Sequence, residues 1–314
     1  MKSSPLVTII IVYYKRREAL LRGLASARGQ SYANREIIVV DNHSEDGIGD
    51  FLSAHAPEVR LIEMDENRGA CGGRNAGIRA ARGEIIITLD DDVYFTSPFE
   101  VAKTVDAFAE RPAVDVLAYR LCDEGTGALR LREWCHPRSW KDYGDTEFET
   151  NYFVEGACAA RKEVYSVAGL YYEPLFIGCE GWDLALRILD HQFKILYEPG
   201  IRVYHSKSAE TRTAERPYYF YTRNYIWITF KHYPILQGAC FLSVKLAMML
   251  YFSVRSRRAG AYLRGVRDGC LGIGKILKDR SCIQPETLAY LKELERCRPG
   301  LLARLSRHRE AVQL

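Results

Sequence analysis

The sequence predicts an α/β protein: a mostly parallel central sheet flanked by helices, followed by a mainly helical C-terminal extension. Three observations predict it. Over residues 6–89, short β-branched runs alternate with amphipathic helical ones, the signature of βαβ units that lay parallel strands in one sheet. Two of the apolar runs close on acidic residues, at Asp41 and at Asp90–Asp92, and open α/β sheets bind ligands at the carboxyl ends of their strands. After His205 the pattern changes to long helical segments rich in Tyr, Phe, Arg and Lys.

Residues 6–14 (LVTIIIVYY) form the first strand. Lys15, Arg16 and Arg17 follow this run instead of preceding it, and no small-residue cleavage site comes next, so it reads as a buried strand and not a targeting segment. Residues 18–30 place Leu20, Leu21, Leu24 and Ala27 at helical spacing. Residues 36–40 form the second strand, and the NHSEDG after Asp41 supplies turn and N-cap residues. A short helix over 46–55 and a strand over 59–64 come next. NRGACGGRNAG (67–77) then opens a helix that runs to about residue 81, and EIIITL (84–89) is the strand that runs into the three aspartates. The middle of the chain, 98–205, is more mixed. It has a helix near 98–110, a strand at 114–120, a polar loop at about 122–150, a helix over 180–190, and two short strands, FKILYEP and IRVYH.

Composition bounds the class. The 314 residues are 47% hydrophobic and 27% charged, as in soluble globular proteins. The nine cysteines are scattered and include no CxxC pair, which argues against a disulfide framework or a zinc knuckle and for a reducing, cytoplasmic compartment. The net charge of +4 hides an asymmetry: residues 1–205 carry 24 Lys and Arg against 32 Asp and Glu, whereas residues 206–314 carry 20 against 8. Such a basic appendage suits nucleic acid or anionic lipid; a solvated helical face is the plainer alternative.

The aspartates carry the chemistry. Asp90 and Asp92 are two apart, so at a strand end both point the same way. Together they make a hard-oxygen site for Mg²⁺ or Mn²⁺, ions that bind through one or two carboxylates plus substrate phosphates. Asp91, on the alternate face, is expected to make local hydrogen bonds. Asp41 is a second strand-end carboxylate, either functional or a turn cap. The glycine-rich start at 67–77 offers backbone N–H groups to an anion, which assigns Asn67, Gly69 and Arg74 to the donor side, Arg74 facing a phosphate. Glu180 and Asp183 share one face of a helix; Glu180, in the first turn, suits a general base, while Arg187 makes an ordinary helical ion pair with Asp183. His205 closes the last strand, where an imidazole completes a metal site. GCLGIGK (269–275) satisfies G-x-x-x-x-G-K, but Ile276 stands where that motif needs Ser or Thr and no core strand precedes it. It is a coincidence.

In order along the chain, VTIIIVYYKRREAL, QSY, EIIVVDNHSEDG, NRGACGGRNAGI, LDDDV, CEGWDLALR and YEPGIRVYH resemble glycosyltransferase family 2 over about residues 5–205. The resemblance implies the GT-A fold and inversion at the anomeric carbon. It implies that Asp41 contacts the nucleobase, with the backbone of Val12, Tyr13 and Tyr14 lining the same pocket. Asp90 and Asp92 are the D-x-D pair, Asp91 lies on the donor side, Asp92 most directly holds the metal, and His205 completes that site. Gly156, Ala157 and Trp182 line the acceptor and donor-sugar site. The family's Glu-Asp pair is broken here: Gly181 stands where its Asp, commonly the base, would be. Glu180 then becomes the base, with Asp183 as the alternative.

The expected protein is thus a metal-dependent (Mn²⁺ or Mg²⁺) inverting transferase. It moves a hexosyl unit, with rhamnose a family-level guess, from a UDP-, dTDP- or GDP-sugar to a hydroxyl of a glycan, glycolipid or glycoprotein in surface-polysaccharide assembly. Residues 1–208 are expected as the catalytic domain and 209–314 as a helical basic region. The run over 235–254 contains Gln237 and Lys245, poor for a transmembrane span. An interfacial anchor on an anionic membrane, packing on the body and homodimerisation stay open, and nucleic acid is not an expected partner. The protein is placed in the cytoplasm, with peripheral attachment at the inner face of the membrane. A P-loop-like NTPase or nucleotide-binding regulator, and a non-catalytic lipid- or nucleic-acid-binding protein on a decayed transferase scaffold, are the competing classes.

Overall fold

In the computed structural model, which describes residues 4–206 and 215–300, the strand predicted first is the centre of the parallel half of a nine-stranded sheet. β1 (Val7–Tyr13) pairs in parallel with β2 (Arg35–Asp41) on one side and β4 (Ile85–Asp90) on the other, and β3 (Arg60–Glu63) extends the sheet beyond β2. The register sets Tyr13 beside Asp41 and Val12 beside Asp90, so both strand-end carboxylates reach the same edge. These strands are covered on both faces, hence their unbroken Ile and Val runs. Ile9 and Ile11 pack with residues of α1 (Arg17–Arg28), α2 (Ile48–His55) and, further along, α4 (Glu100–Glu110). Ile10 packs on the opposite face with α3 (Gly69–Ala80).

The second half of the sheet departs from the predicted parallel order. β8 (Ala157–Arg161) lies antiparallel between β4 and β6 (Val116–Cys122). β9 (Ile195–His205) runs parallel to β6, and β5 (Val93–Phe95) and β7 (Phe148–Glu149) are antiparallel to β9. The two strands expected at 193–205 are one. Its register slips between Glu198 and Arg202, where Pro199 and Gly200 belong at a bulge. The expected loop at 122–150 is not merely polar. It includes the short helix α5 (Trp140–Tyr143), and its Trp134 and Phe148 form a small aromatic core with Tyr197 of β9, the buried His136 ring lying 4.8 Å from both Trp134 and Tyr197.

Behind α3, the same face of the sheet is completed by α6 (Lys162–Val167) and α7 (Glu180–Asp190), then by the C-terminal helices α8 (Arg216–His232) and α11 (Pro285–Glu295), while α9 (Ile235–Arg255) and α10 (Ala259–Ile276) pack on α8. This region packs on the body. Asn224 of α8 donates to the carbonyls of Ile177 and Gly178 at 3.0 and 2.6 Å, and Asp190 accepts Gln284 N and Thr287 Oγ1 at the start of α11, both at 2.7 Å. The segment 269–275 is the C-terminal part of α10, not a loop. Two of its glycines allow close packing on α8: a Cβ at Gly269 would lie 2.5 Å from Ile226 Cδ1, and one at Gly272 2.6 Å from Trp227. The phosphate-loop alternative therefore has no loop to stand on. The domain boundary expected at 208–209 lies outside the described residues. In contrast to α8, α9 leaves most of its length uncovered: Ile235, Leu236, Val244, Tyr251 and Val254 are all exposed.

Candidate active site

β4 ends at Asp90, and Asp91 and Asp92 form a turn before β5. The strand's alternation of faces therefore stops at Asp90, and the expected pairing of Asp90 with Asp92 gives way to another. Asp91 and Asp92 are both buried and share Arg16, which leaves the end of β1 to reach them: Nε lies 3.2 Å from Asp91 Oδ2 and Nη1 2.5 Å from Asp92 Oδ2. Tyr14 N donates to Asp91 at 3.2 Å. Burial, opposed by Arg16 and reinforced by Asp92 and Asp90, pushes the Asp91 carboxyl up to about 7.

His205, at the end of β9, bonds Glu133 through Nδ1 at 2.7 Å and faces Asp92 Oδ1 through Nε2 at 3.4 Å. Burial alone would lower the imidazole, but the two carboxylates outweigh it and raise it to about 9. A carboxylate on Nδ1 fixes the ring and directs Nε2 forward, as it does in metal-binding histidines.

Asp90 turns the other way. Its carboxylate meets Arg74 of α3, Nη2 to Oδ1 2.5 Å, and the same guanidinium reaches Glu180 Oε1 at 3.1 Å. Arg74, expected to face a phosphate, is only 2% exposed and joins two carboxylates instead. Gly156, just ahead of β8, packs directly on Asp90: a Cβ there would lie 2.3 Å from Asp90 Cγ. Ala157 follows it, fully buried and paired with Leu89.

The glycine-rich start of α3 is not an open anion cradle. Gly69 N donates to Asn67 Oδ1 at 2.9 Å, Cys71 N to Phe176 O at 3.3 Å, and Gly72 N to Arg68 O at 3.3 Å. The glycines answer a steric need. Gly73 and Gly77 stand four apart, their Cβ positions 2.6 Å from Val12 Cγ1 and 2.5 Å from Ile10 Cγ2, so α3 lies close on β1. Asp41, buried at the end of β2, accepts Ser44 N at 2.9 Å, the turn-cap role. Tyr13 directs its buried hydroxyl to Asp46.

At the start of α7, Asp183 sits among cations. Its carboxylate is fully buried and meets Lys231 Nζ at 2.7 Å, His232 Nε2 at 2.8 Å and Arg187 Nη2 at 2.7 Å. Burial would raise its carboxyl, but Arg187, His232 and Lys231 hold it well below the usual range. Such a group is a poor proton acceptor, which argues against Asp183 as the alternative base. Trp182 turns toward the C-terminal helices, with ring centroids 4.9 Å from Phe241 and 6.0 Å from Tyr233, and is not part of the carboxylate cluster. Sequence reasoning missed Arg16, Glu133 and Glu155. The last accepts Gly181 N at the first turn of α7.

The family model for glycosyl transferase family 2 matches residues 8–167, about half of the chain. The chain belongs to glycosyl transferase family 2. The family match spans the three aspartates, Arg16, Arg74 and Glu155, while Glu180 and His205 lie C-terminal to it. Among curated relatives, the chain is 43% identical over 89 residues to the succinoglycan biosynthesis protein ExoO of Rhizobium meliloti (strain 1021), covering 28% of this chain and 26% of that one. It is 35% identical over 99 residues to the putative colanic acid biosynthesis glycosyl transferase WcaA of Escherichia coli (strain K12), covering 31% and 36%. These matches thus span roughly a quarter to a third of the relatives' length. Among solved structures, the mannosyltransferase PcManGT from Pyrobaculum calidifontis, in complex with GDP-Man and Mn²⁺, superposes with a TM-score of 0.57 at 18% identity over 93% of this chain and 85% of its own. GalNAc-T7 with UDP, GalNAc and Mn²⁺ gives 0.57 at 16% identity over 72% and 48%. The architecture of this family 2 chain is that of the GT-A glycosyltransferases.

Proposed function

We propose that this family 2 glycosyltransferase is a metal-dependent inverting enzyme that moves a hexosyl unit from a nucleoside-diphosphate sugar to a hydroxyl of a glycan or lipid-linked acceptor in surface-polysaccharide assembly. The observation that carries this reading is the division of charge at the end of β4. Asp91 and Asp92 meet Arg16 and His205 on one side, and Asp90 meets Arg74 and Glu180 on the other. The first group suits a diphosphate and its counter-ion, and the second suits the attacking hydroxyl.

The residues fit a divalent cation in kind: carboxylate oxygens suit Mn²⁺ and Mg²⁺, and an imidazole beside them favours a transition ion over Mg²⁺. The Glu133 bond that aims His205 Nε2 at Asp92 adds the outer support that metal-ligating histidines have. Asp92 and His205 would hold the ion together with the diphosphate, and when bound it would neutralise charge on the departing group. The names of the solved GT-A neighbours, with Mn²⁺ and UDP or GDP-Man, and of relatives in succinoglycan and colanic acid biosynthesis, support the same reading. Asp41 and the backbone at 12–14 hold the place of the nucleobase pocket. The base comes from the carboxylates at the N-terminal end of α7, where Glu180 is the one expected from sequence.

A panel of UDP-, dTDP- and GDP-sugars, dTDP-rhamnose included, read by thermal shift with and without Mn²⁺ tests the proposal. At least one donor is expected to raise Tm by several degrees only when Mn²⁺ is present, and Asp92→Ala is expected to abolish that shift. If no donor stabilises the protein in a metal-dependent way, the reading falls.

Attachment to the inner face of the membrane follows from α9. An 18-residue stretch of this 21-residue helix has a mean hydropathy of 1.6, and only 6% of that stretch is buried; the C-terminal third is strongly basic. An uncovered apolar helix on a basic region fits an anionic bilayer surface. Flotation with vesicles containing phosphatidylglycerol is expected to carry the protein upward, and Leu236→Asp with Val244→Asp to release it. Equal flotation of the wild type with neutral vesicles at high salt would remove the electrostatic part of this reading.

A further inference from the structure

We propose that Glu155 is the group that takes the proton from the acceptor hydroxyl, and that Glu180 serves instead to hold Arg74 in place; this rests on the transferase reading above.

Glu155 immediately precedes Gly156, the residue packed on Asp90, and its own carbonyl accepts the Thr88 hydroxyl of β4 at 2.6 Å. From there its side chain crosses to the first turn of α7, where its Oε1 accepts the backbone N–H of Gly181. The carboxylate occupies the volume in which a side chain at position 181 would begin: a Cβ built on Gly181 would lie 2.3 Å from Glu155 Oε1, 2.5 Å from its Cδ and 2.6 Å from its Cγ. Gly181 is thus empty because Glu155 fills its place. The carboxylate beside position 181 thus comes from the strand entry and not from the helix itself.

The two glutamates at this corner differ in what they touch. Glu180 is 4% exposed and paired with the guanidinium of Arg74 at 3.1 Å. A carboxylate tied to a buried arginine would have to break that pair to accept a proton. Glu155 takes part in no ion pair among the described residues. Its carboxyl is pushed up to about 8, by burial first and then by the Glu180 carboxylate, with Arg74 opposing. A base of that strength is well matched to a hydroxyl near neutral pH.

In the transfer, the acceptor O–H bond breaks and its proton passes to a Glu155 carboxylate oxygen. The acceptor oxygen forms its bond to the anomeric carbon from the face opposite the leaving group. The bond from that carbon to the diphosphate oxygen breaks, and its electron pair leaves with the nucleoside diphosphate.

The test uses the full chain with Mn²⁺ and measures nucleoside diphosphate release to water from whichever sugar nucleotide of the panel the wild type turns over. Glu155→Gln keeps a carbonyl for Gly181 N–H, so the variant is expected to fold and to keep the Mn²⁺-dependent thermal shift with the nucleoside diphosphate, while release falls about 100-fold or more. Glu155→Ala vacates the space beside position 181, and adding Gly181→Asp puts a carboxylate into it. The double variant is expected to recover at least about tenfold over Glu155→Ala. Release by Glu155→Gln within tenfold of wild type overturns the proposal, as does a folded double variant no more active than Glu155→Ala. Absence of release from the wild type with every donor would instead overturn the transferase reading, and this assignment with it.

Discussion

Asp183→Asn is expected to lower the unfolding free energy by about 3–5 kcal/mol, the usual cost of removing one partner from a buried charge cluster. Urea denaturation at pH 7 measures it. The substitution keeps the shape and removes the charge. Asp183 Oδ1 is shared by Lys231 Nζ and His232 Nε2, and Oδ2 takes both Nε and Nη2 of Arg187 at 3.1 and 2.7 Å. Each partner is itself anchored: Arg187 reaches the Leu170 carbonyl at 2.8 Å, His232 Nδ1 the Ser281 carbonyl at 3.0 Å, and Lys231 Nζ lies 3.8 Å from the centre of the Tyr172 ring. One carboxylate thus joins α7, α8 and the segment before α11. An amide there would turn its N–H groups toward cations that lose the carboxylate they share, leaving Lys231 only the more distant Asp279.

The pH dependence has a definite sign. The three cations hold the Asp183 carboxyl well below the usual range, against a burial effect that alone would raise it. A carboxyl depressed by folding contributes stability that is fully present above its unfolded value of about 3.9 and is lost as pH falls through its folded value. The wild type should therefore hold this contribution down to about pH 4, and the stability difference from Asp183→Asn should shrink below that. Diphosphate release by the folded variant is expected to stay within a few-fold of wild type. Normal stability with lost turnover would return Asp183 to the role of base.

That Glu180 and Asp183 share a helix face was legible from their spacing, and the bounds of α7 are those read from the sequence. Which of the two meets solvent, substrate or a cation was not, because the deciding partners are far away in the chain. Lys231 is 48 residues from Asp183, and Arg74 is 106 from Glu180. The parallel half of the sheet was readable because strands buried on both faces need unbroken apolar runs, and β1, β2 and β4 have them. β8 escaped because ACAAR carries small residues with no β-branched run, and its place between β4 and β6 is decided by neighbours that need little width. The aspartates themselves were plain, but their counter-ions were not. Lys15, Arg16 and Arg17 read as charges after a strand, and only the register of β1 against β4 turns Arg16 toward Asp91, 75 residues on. Glycine posed a different ambiguity. The same residue type serves an anion cradle or a close helix contact, and the four-residue spacing of Gly73 and Gly77 has meaning only once Val12 and Ile10 lie beneath them.

Arg74→Met is expected to be the most damaging single change in the site, costing about 3–5 kcal/mol at pH 7.5. Methionine keeps much of the volume, and no cavity argument is needed. The loss is electrostatic. Arg74 is 2% exposed, touches Asp90 at 2.5 Å and Glu180 at 3.1 Å, and lies over the Tyr171 ring at 5.5 Å. Without it, Asp90, Glu155 and Glu180 share one corner with no cation between them, since Arg16 is committed to Asp91 and Asp92. Like charges so placed cannot all stay ionised. The folded variant then binds more protons than its unfolded chain, and stability rises as pH falls wherever that holds. The deficit relative to wild type should therefore narrow between pH 7.5 and about pH 5, the opposite trend to a packing defect, which would be flat. Arg74→Lys is expected to recover only part of the loss, because a compact ammonium cannot span two carboxylates as a planar guanidinium does. A flat pH response of Arg74→Met, or full recovery by lysine, would mean that Arg74 fills space without bridging the two halves of the site.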